Sequence, residues 1–187
     1  MTSYSLILFV HVVGTLALFA GFALEGLSLW HLRAAADVEK ARMWANISVR
    51  VTYLSAIAIP LILMPGAYLA RQEKAWSQGW VQVSLVATFL IALVTAGITR
   101  TRLNALRRSS SGEGNGRVSA VMLLRLRDPF LRISLQLRAA LGFAIVLLMI
   151  AKTNHQNALL VMAVAVACGL AALAIHRSQK DAAAPAK

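Results

Sequence analysis

Three long runs of this chain, residues 6–24, 51–70 and 81–98, are mostly apolar and contain no charged side chain. A helix needs about 20 such residues to cross a hydrocarbon core that is roughly 30 Å thick. Over the whole chain 59% of the residues are hydrophobic and only 14% are charged, whereas about a quarter are charged in soluble domains. The sequence therefore excludes a water-soluble globule and predicts an integral membrane protein.

The hydropathy pattern predicts an all-α integral membrane helical bundle with five transmembrane helices, in a single membrane domain that covers residues 1–187. Helices are expected because an open strand cannot satisfy its backbone hydrogen bonds in lipid. The fourth span contains Arg132 and Arg138, so it can cross only if these side chains reach the interface or find partners. The five spans are expected at about residues 6–30, 50–70, 80–99, 131–151 and 157–176.

Lysine and arginine are distributed unequally between the connections of the predicted spans. Sixteen belong to the connections after the first and third spans and to the C-terminal tail, and three to the other two connections. By the positive-inside rule this split places the N-terminus outside and the C-terminus in the cytoplasm. We therefore expect a multi-pass membrane protein, with the lipid bilayer as its first partner.

The connection between the third and fourth spans contains residues 107–117, RRSSSGEGNGR, which are rich in glycine and serine. This composition predicts a flexible cytoplasmic loop. Residues 118–127 then combine apolar residues with Arg125 and Arg127, just before Pro129. Two interpretations stay open for this segment: a short helix on the inner leaflet, or an extension of the fourth span with a kink at Pro129.

One face of the first span carries small and polar residues, which we expect to meet other helices and not lipid. Glu25 is the only acidic residue inside a predicted span. It is interpreted either as a proton or cation site, or as half of an ion pair with Arg138 or Arg50 at a similar depth. The residues of this face are His11, Gly14, Leu18, Gly21, Glu25 and Ser28.

The second and third spans also carry polar stripes at helical spacing. Hydroxyl groups at this spacing usually bond across helices or to their own backbone, which predicts a packing role. Pro60 and Pro65, which precedes Gly66, predict a kink or a break in the second span. The stripe of the second span is Asn46, Arg50, Tyr53, Ile57, Pro60, Met64 and Tyr68, and that of the third is Ser84, Thr88, Thr95 and Thr99.

The predicted outer half of the bundle collects soft metal ligands. Imidazole and thioether groups bind copper, and paired imidazoles hold haem iron, so the pattern makes haem b or copper the candidate cofactors. His11 and Met64 are the first candidates for a metal. The alternative is that His11 is a hydrogen-bonded core histidine, His155 a loop residue, and the methionines gap fillers. The candidate cofactor ligands are His11, His155, Met64, Met149 and Met162, with Lys152 at the same depth.

Residues 6–33, LILFVHVVGTLALFAGFALEGLSLWHLR, place a histidine two turns into the first helix and a glycine-rich face behind it. This segment, with a weaker similarity in residues 137–152, resembles small bacterial membrane families of the copper-resistance D-like and protoporphyrinogen-oxidase J-like type and related uncharacterised families. The resemblance implies an all-helical bundle in which His11 ligates haem or copper.

The sequence therefore leaves two functional hypotheses. The first is a bundle that binds a cofactor or metal, or moves protons, through His11 and Glu25. The second is an accessory or scaffold subunit that packs against a membrane protein partner or a second copy. No catalytic triad or carboxylate pair shares a face in the sequence, which makes an enzyme the weaker prediction. The net charge of +12 is explained by orientation and anionic lipid, so nucleic acid is not expected as a partner.

Overall fold

The computed structural model describes residues 2–35, 37–112 and 129–182, which form helices joined by short connections. The elements are α1 (Ser3–Ala34), α2 (Val38–Gln72), α3 (Gly79–Val94), a π-helical turn (Thr95–Thr99), α4 (Arg100–Gly112), α5 (Pro129–Ala151) and α6 (His155–Ala182). Helix α2 begins after Asp37, whose carboxylate accepts a hydrogen bond from the Lys40 amide at 2.7 Å. This is the usual way to satisfy a free amide at a helix N-terminus.

The architecture confirms an all-α membrane helical bundle. Four segments are long and apolar enough to cross a bilayer, namely Ser3–Ala34, Val38–Gln72, Gly79–Ala105 and Phe130–Ala151. Helix α6 occupies the position of the fifth predicted span, and its part with described side chains, His155–Ala171, is apolar but shorter.

Helix α2 begins well before the predicted start of the second span at residue 50. It has 35 residues and is therefore about 50 Å long, which exceeds the thickness of the hydrocarbon core. Its first turns are helical because Ala41 and Ala45 pack against Leu29 and Leu32 of α1 in a separate apolar cluster. Because these turns contain charged residues, they were not part of the uncharged run that predicted the second span.

The two ends of the bundle can be told apart by their contacts. Tyr4, at the start of α1, donates a hydrogen bond to Glu73 in the α2–α3 connection, and Lys152 in the α5–α6 connection pairs with the same carboxylate. These segments therefore lie at one end, which we call the Glu73 end, and the α1–α2 connection lies at the other, the Asp37 end. This arrangement agrees with the predicted alternation of spans, and the absolute orientation in the membrane stays a prediction.

Glycines let α1 approach α2 closely. A Cβ atom at Gly14 would lie 2.9 Å from the carbonyl oxygen of Leu61, so a larger side chain would push the helices apart. That carbonyl has lost its usual intrahelical donor, because the amide four residues later belongs to Pro65. Helix α2 nevertheless continues from Val38 to Gln72, so the break predicted at its prolines is not found.

The predicted flexible loop at residues 107–117 begins as helix, because α4 continues to Gly112. The rest of that loop and the segment 118–127, for which two interpretations were open, lie outside the described residues.

Candidate functional site

An ion pair inside the bundle joins Glu25 of α1 to Arg138 of α5. The Arg138 Nη2 atom lies 2.5 Å from Glu25 Oε1, and neither side chain has any solvent-accessible surface. Arg138 also donates from Nε to the Ser134 carbonyl at 3.1 Å and from Nη1 to the Thr95 hydroxyl at 3.3 Å. Its guanidinium carbon lies 5.4 Å from the centre of the Phe22 ring. Arg138, which the fourth span could accommodate only with a partner, is thus buried beside the Glu25 carboxylate.

The π-helical turn brings two threonines of the third span onto α5. Thr95 lies at its first position and donates to the Ile91 carbonyl at 2.7 Å, while Thr99 lies at its last position and is 3.0 Å from the Ser134 hydroxyl. Thr95 therefore contacts Arg138 and Thr99 contacts Ser134, so these two residues of the stripe bond across helices as predicted.

Two polar atoms near the ion pair have no hydrogen-bond partner among the described residues: Glu25 Oε2 and the Ser55 hydroxyl, both buried. Ser55 faces α1 at Gly21, where a Cβ atom would lie only 2.5 Å from its oxygen. Arg50, the other candidate partner of Glu25, is exposed. The enclosed, paired carboxylate favours the ion-pair interpretation over a proton or cation site.

A second polar feature is a cavity of about 210 Å³ near the Glu73 end, lined by α1, α2, α3 and α5. Most of its wall is apolar. Ser84 is buried in this wall, and its hydroxyl has no partner among the described residues, whereas the Thr88 hydroxyl donates to the Ser84 carbonyl at 2.8 Å. Its polar and aromatic lining includes His11, Trp76, Trp80, Ser84 and Thr88, and Met149 also contributes to the wall.

His11 combines a structural hydrogen bond with a place in the cavity wall. Its Nδ1 atom lies 2.9 Å from the Ile62 carbonyl oxygen, and since that oxygen can only accept, Nδ1 carries the proton. In a neutral ring the other nitrogen, Nε2, is then an acceptor. The edge of the ring also packs on Gly66, where a Cβ atom would lie 3.0 Å from Cε1. The imidazole is therefore fixed in orientation and in tautomer.

Charged and aromatic residues surround the mouth of the cavity. Glu73 accepts from the Tyr4 hydroxyl at 2.8 Å and pairs with Lys152 at 3.2 Å, and all three residues line the cavity. The Lys152 ammonium also lies 5.9 Å from the centre of a Trp80 ring. The hydrogen bond from Tyr4, followed by that from Lys152, lowers the pKa of the Glu73 carboxyl below its ordinary value. The mouth thus carries a stable carboxylate and a cation above an apolar interior.

The predicted soft-metal ligands are not gathered at one place. Met64 is 76% exposed, and Met162 is packed in the core with Leu148. His155 is exposed at the start of α6. The cavity brings together His11 and Met149 from the predicted set, and in the described parts of the chain no three histidine, cysteine or acidic side chains could hold a metal ion.

This set does not fit the cofactors that the resemblance implies. Haem iron in a membrane bundle needs an axial ligand and room for a macrocycle, and a cavity of 210 Å³ is below the roughly 300 to 1,000 Å³ of ordinary ligand pockets. Copper held by one imidazole and one thioether would lack a closed ligand set. The geometry therefore gives His11 no second strong ligand.

Several cavity residues were not predicted from the sequence as parts of a site, among them Glu73, Trp80 and Ser84. Glu73 lies in a connection, and the other two fit an interface anchor and a packing stripe equally well. The spacing of Ser84 and Thr88 along α3 shows a shared face, but the sequence does not show that the face lies opposite His11. Comparisons of the chain with protein family models, curated proteins and solved structures find no match.

Proposed function

We propose that this membrane protein binds a small amphipathic molecule in the cavity at the Glu73 end, and that His11 recognises a hydroxyl group of that molecule. The observation that carries the proposal is the hydrogen bond from His11 Nδ1 to the Ile62 carbonyl, because it leaves Nε2 as the acceptor of a neutral ring that lines the cavity. A histidine held in this way is oriented before the ligand arrives, which reduces the free-energy cost of binding.

The cavity also offers a second polar contact. The buried Ser84 hydroxyl finds no hydrogen-bond partner in the described part of the chain, and such a group costs about 1 to 3 kcal/mol until it is satisfied. A molecule that carries one hydroxyl donor and another oxygen satisfies both His11 and Ser84, while its apolar part contacts the remaining wall. The preferred ligand is therefore oxygen-bearing but mostly apolar.

The volume limits the part of the ligand that enters. A cavity of roughly 150 Å³ is large enough to hold benzene. The cavity of about 210 Å³ is therefore large enough for one ring with one or two small substituents. Trp76 is 45% exposed and belongs to the lining, so the aromatic mouth lies where an amphipathic molecule would enter from the interface.

The ion pair has a different role in this proposal. Neither Glu25 nor Arg138 lines the cavity, and the pair joins α1 to α5, two of the helices that form its wall. It therefore supports the site without touching the ligand. We also propose that the Glu73 end lies outside, because the Asp37 end carries the connections that are rich in lysine and arginine. The proposed location in a bacterial inner membrane rests on the resemblance of residues 6–33 to small bacterial membrane families.

The test uses 4-methylphenol and 1,4-dimethylbenzene, which have the same ring and nearly the same shape but differ in one hydroxyl group. The full chain in detergent is titrated with each, and the unfolding midpoint is followed by circular dichroism. We expect a saturable rise with the phenol and little with the hydrocarbon, because a ligand that binds only the folded state stabilises it. Equal shifts for the two compounds would contradict recognition of a hydroxyl group.

Variants of His11 separate binding from folding. In His11→Asn the amide nitrogen replaces Nδ1 and can still donate to the Ile62 carbonyl, but the distant acceptor is gone. We expect stability close to that of the wild type and a dissociation constant for the phenol raised about tenfold or more, as for a lost hydrogen bond of 1 to 3 kcal/mol. His11→Phe should lose stability as well. Met64→Leu, at an exposed methionine, is the control that should bind normally.

Wild-type affinity in His11→Asn would show that His11 is only a core histidine. A visible absorption spectrum and metal analysis of the purified protein test the cofactor hypothesis directly. A Soret band or stoichiometric copper would show that the protein binds a cofactor and would contradict the proposed ligand. A colourless, metal-free protein that responds to neither compound would favour an accessory or scaffold subunit.

A further inference from the structure

A second cavity, of about 200 Å³, lies in the other half of the bundle, between α2 and the segment formed by α3 and the π-helical turn. Most of its wall is apolar, and none of the described residues that line it is acidic. Ala56 and Ala96 are exposed on its two sides, so small side chains leave a cleft on the lipid-facing surface. This cleft is separate from the cavity that contains His11.

The mouth of the cleft carries positive charge. Arg100 donates from Nη2 to the Tyr53 hydroxyl at 3.1 Å, and its guanidinium carbon lies 4.9 Å from the centre of the Tyr53 ring. Both residues line the cleft and are exposed. Arg50, which is also exposed, precedes Tyr53 by one turn of α2. The Arg100 guanidinium and the Tyr53 hydroxyl therefore stand at the end of the cleft, and Arg50 lies one turn away along α2.

We propose that this cleft binds an anionic phospholipid, with one acyl chain between α2 and α3 and the phosphate at Arg100 and the Tyr53 hydroxyl. The charge selects an anionic headgroup, since arginine binds phosphate through charge-assisted hydrogen bonds. The apolar part of the wall selects an acyl chain, because a free anion gains nothing from apolar contacts. Basic pockets between membrane helices are a known way to hold anionic lipid headgroups.

The experiment measures lipid retention by native mass spectrometry on the full chain in detergent. Phosphatidylglycerol and phosphatidylcholine with identical acyl chains are added in equal amounts. We expect phosphatidylglycerol to be retained preferentially, and Arg100→Gln to reduce this preference about fivefold, the effect of removing one surface cation near an anionic lipid. Arg71→Gln, an exposed arginine near the Glu73 end, is the matched control and should retain the wild-type preference.

A steric variant tests the chain separately from the headgroup. Ala56→Leu with Ala96→Leu fills the cleft while leaving both arginines, and because the two alanines are exposed, the fold should tolerate the change. We expect this variant to lose the bound phosphatidylglycerol. Retention of it would overturn the acyl-chain site. Equal retention of the two lipids by the wild type, an unchanged preference in Arg100→Gln, or displacement by soluble glycerol 3-phosphate would also overturn the proposal.

Discussion

Separating Glu25 from Arg138 should destabilise the bundle far more than the loss of a surface ion pair. Arg138→Gln leaves a carboxylate that is fully enclosed and has no cation beside it. Glu25→Gln leaves a buried guanidinium with its two weaker contacts, to Ser134 and Thr95. Breaking a buried pair by removing one partner costs about 3 to 5 kcal/mol, because the remaining charge stays desolvated.

The double variant carries no charge at either position. Two amides can bond to each other, so we expect it to cost only about 1 to 2 kcal/mol, near the net value of one or two neutral hydrogen bonds. The single changes should therefore not add: the double variant should be more stable than their sum predicts by at least 2 kcal/mol, a coupling typical of residues in one network.

The assay is reversible unfolding of the full chain in mixed micelles of dodecyl maltoside and dodecyl sulfate, followed by circular dichroism. The same cycle at Glu73 and Lys152 is the internal control. That pair is similar in kind but its side chains are 39% and 56% exposed, so its coupling should be about 0.2 to 1 kcal/mol.

Additive effects of the Glu25 and Arg138 changes, within about 0.5 kcal/mol, would refute the argument that the pair stabilises the bundle. The proton-site interpretation predicts another pattern. Glu25→Gln would then leave stability nearly unchanged and abolish a pH-dependent activity, because an amide keeps the shape and removes the titration.

Three further predictions concern the ends of the bundle. Lys74 has a φ angle of 51°, so Lys74→Gly should raise the unfolding free energy by up to about 1 kcal/mol in the same micelles, by removing the left-handed strain of a side chain. The hydrogen bond from Tyr4 is the main reason that the pKa of Glu73 is lowered in the folded protein. The ionised Glu73 carboxylate therefore stabilises the fold fully above its ordinary pKa of 4.5, and this stabilisation is lost as the pH falls through the pKa of the folded state. The difference in unfolding free energy between wild type and Glu73→Gln should therefore shrink from pH 7 to pH 3.5. A reporter fused after Lys187 should behave as cytoplasmic and one inserted in residues 71–79 as external, and the reverse result would invert the topology.

The sequence determined the membrane class, the helical fold and the inward face of the first helix. The uncharged runs gave the membrane helices, because hydrocarbon excludes charge and unpaired backbone groups. All residues predicted on the polar face of α1 are buried, Gly14 and Glu25 among them. Period and chemistry agree there: glycine and a carboxylate are poor choices toward lipid, so they mark the face that packs.

In the second span, the helical spacing of polar residues did not identify the face that is buried in the bundle. Its predicted stripe, including Arg50 and Met64, is partly or fully exposed, while Ser48, Thr52 and Ser55 face inward. Apolar residues are found both toward lipid and in the interior of the bundle, so their spacing along a membrane helix does not distinguish the buried face from the lipid-facing one. The small hydroxyl residues Ser48, Thr52 and Ser55 lie on the face of α2 that packs against other helices. The predicted stripe instead followed larger polar residues such as Arg50 and Tyr53, which are exposed.

Only the tertiary structure decided which partners meet. The contact between Glu25 and Arg138 joins residues 113 positions apart, and it depends on the rotation of α1 and α5 about their own axes. The rotation of α1 is set by close packing at sites such as Gly14 against Leu61 of α2, which no single helix encodes. The same packing brings His11 to the Ile62 carbonyl and leaves Met64 toward lipid, because side chains from different helices share one cavity only after the helices have docked.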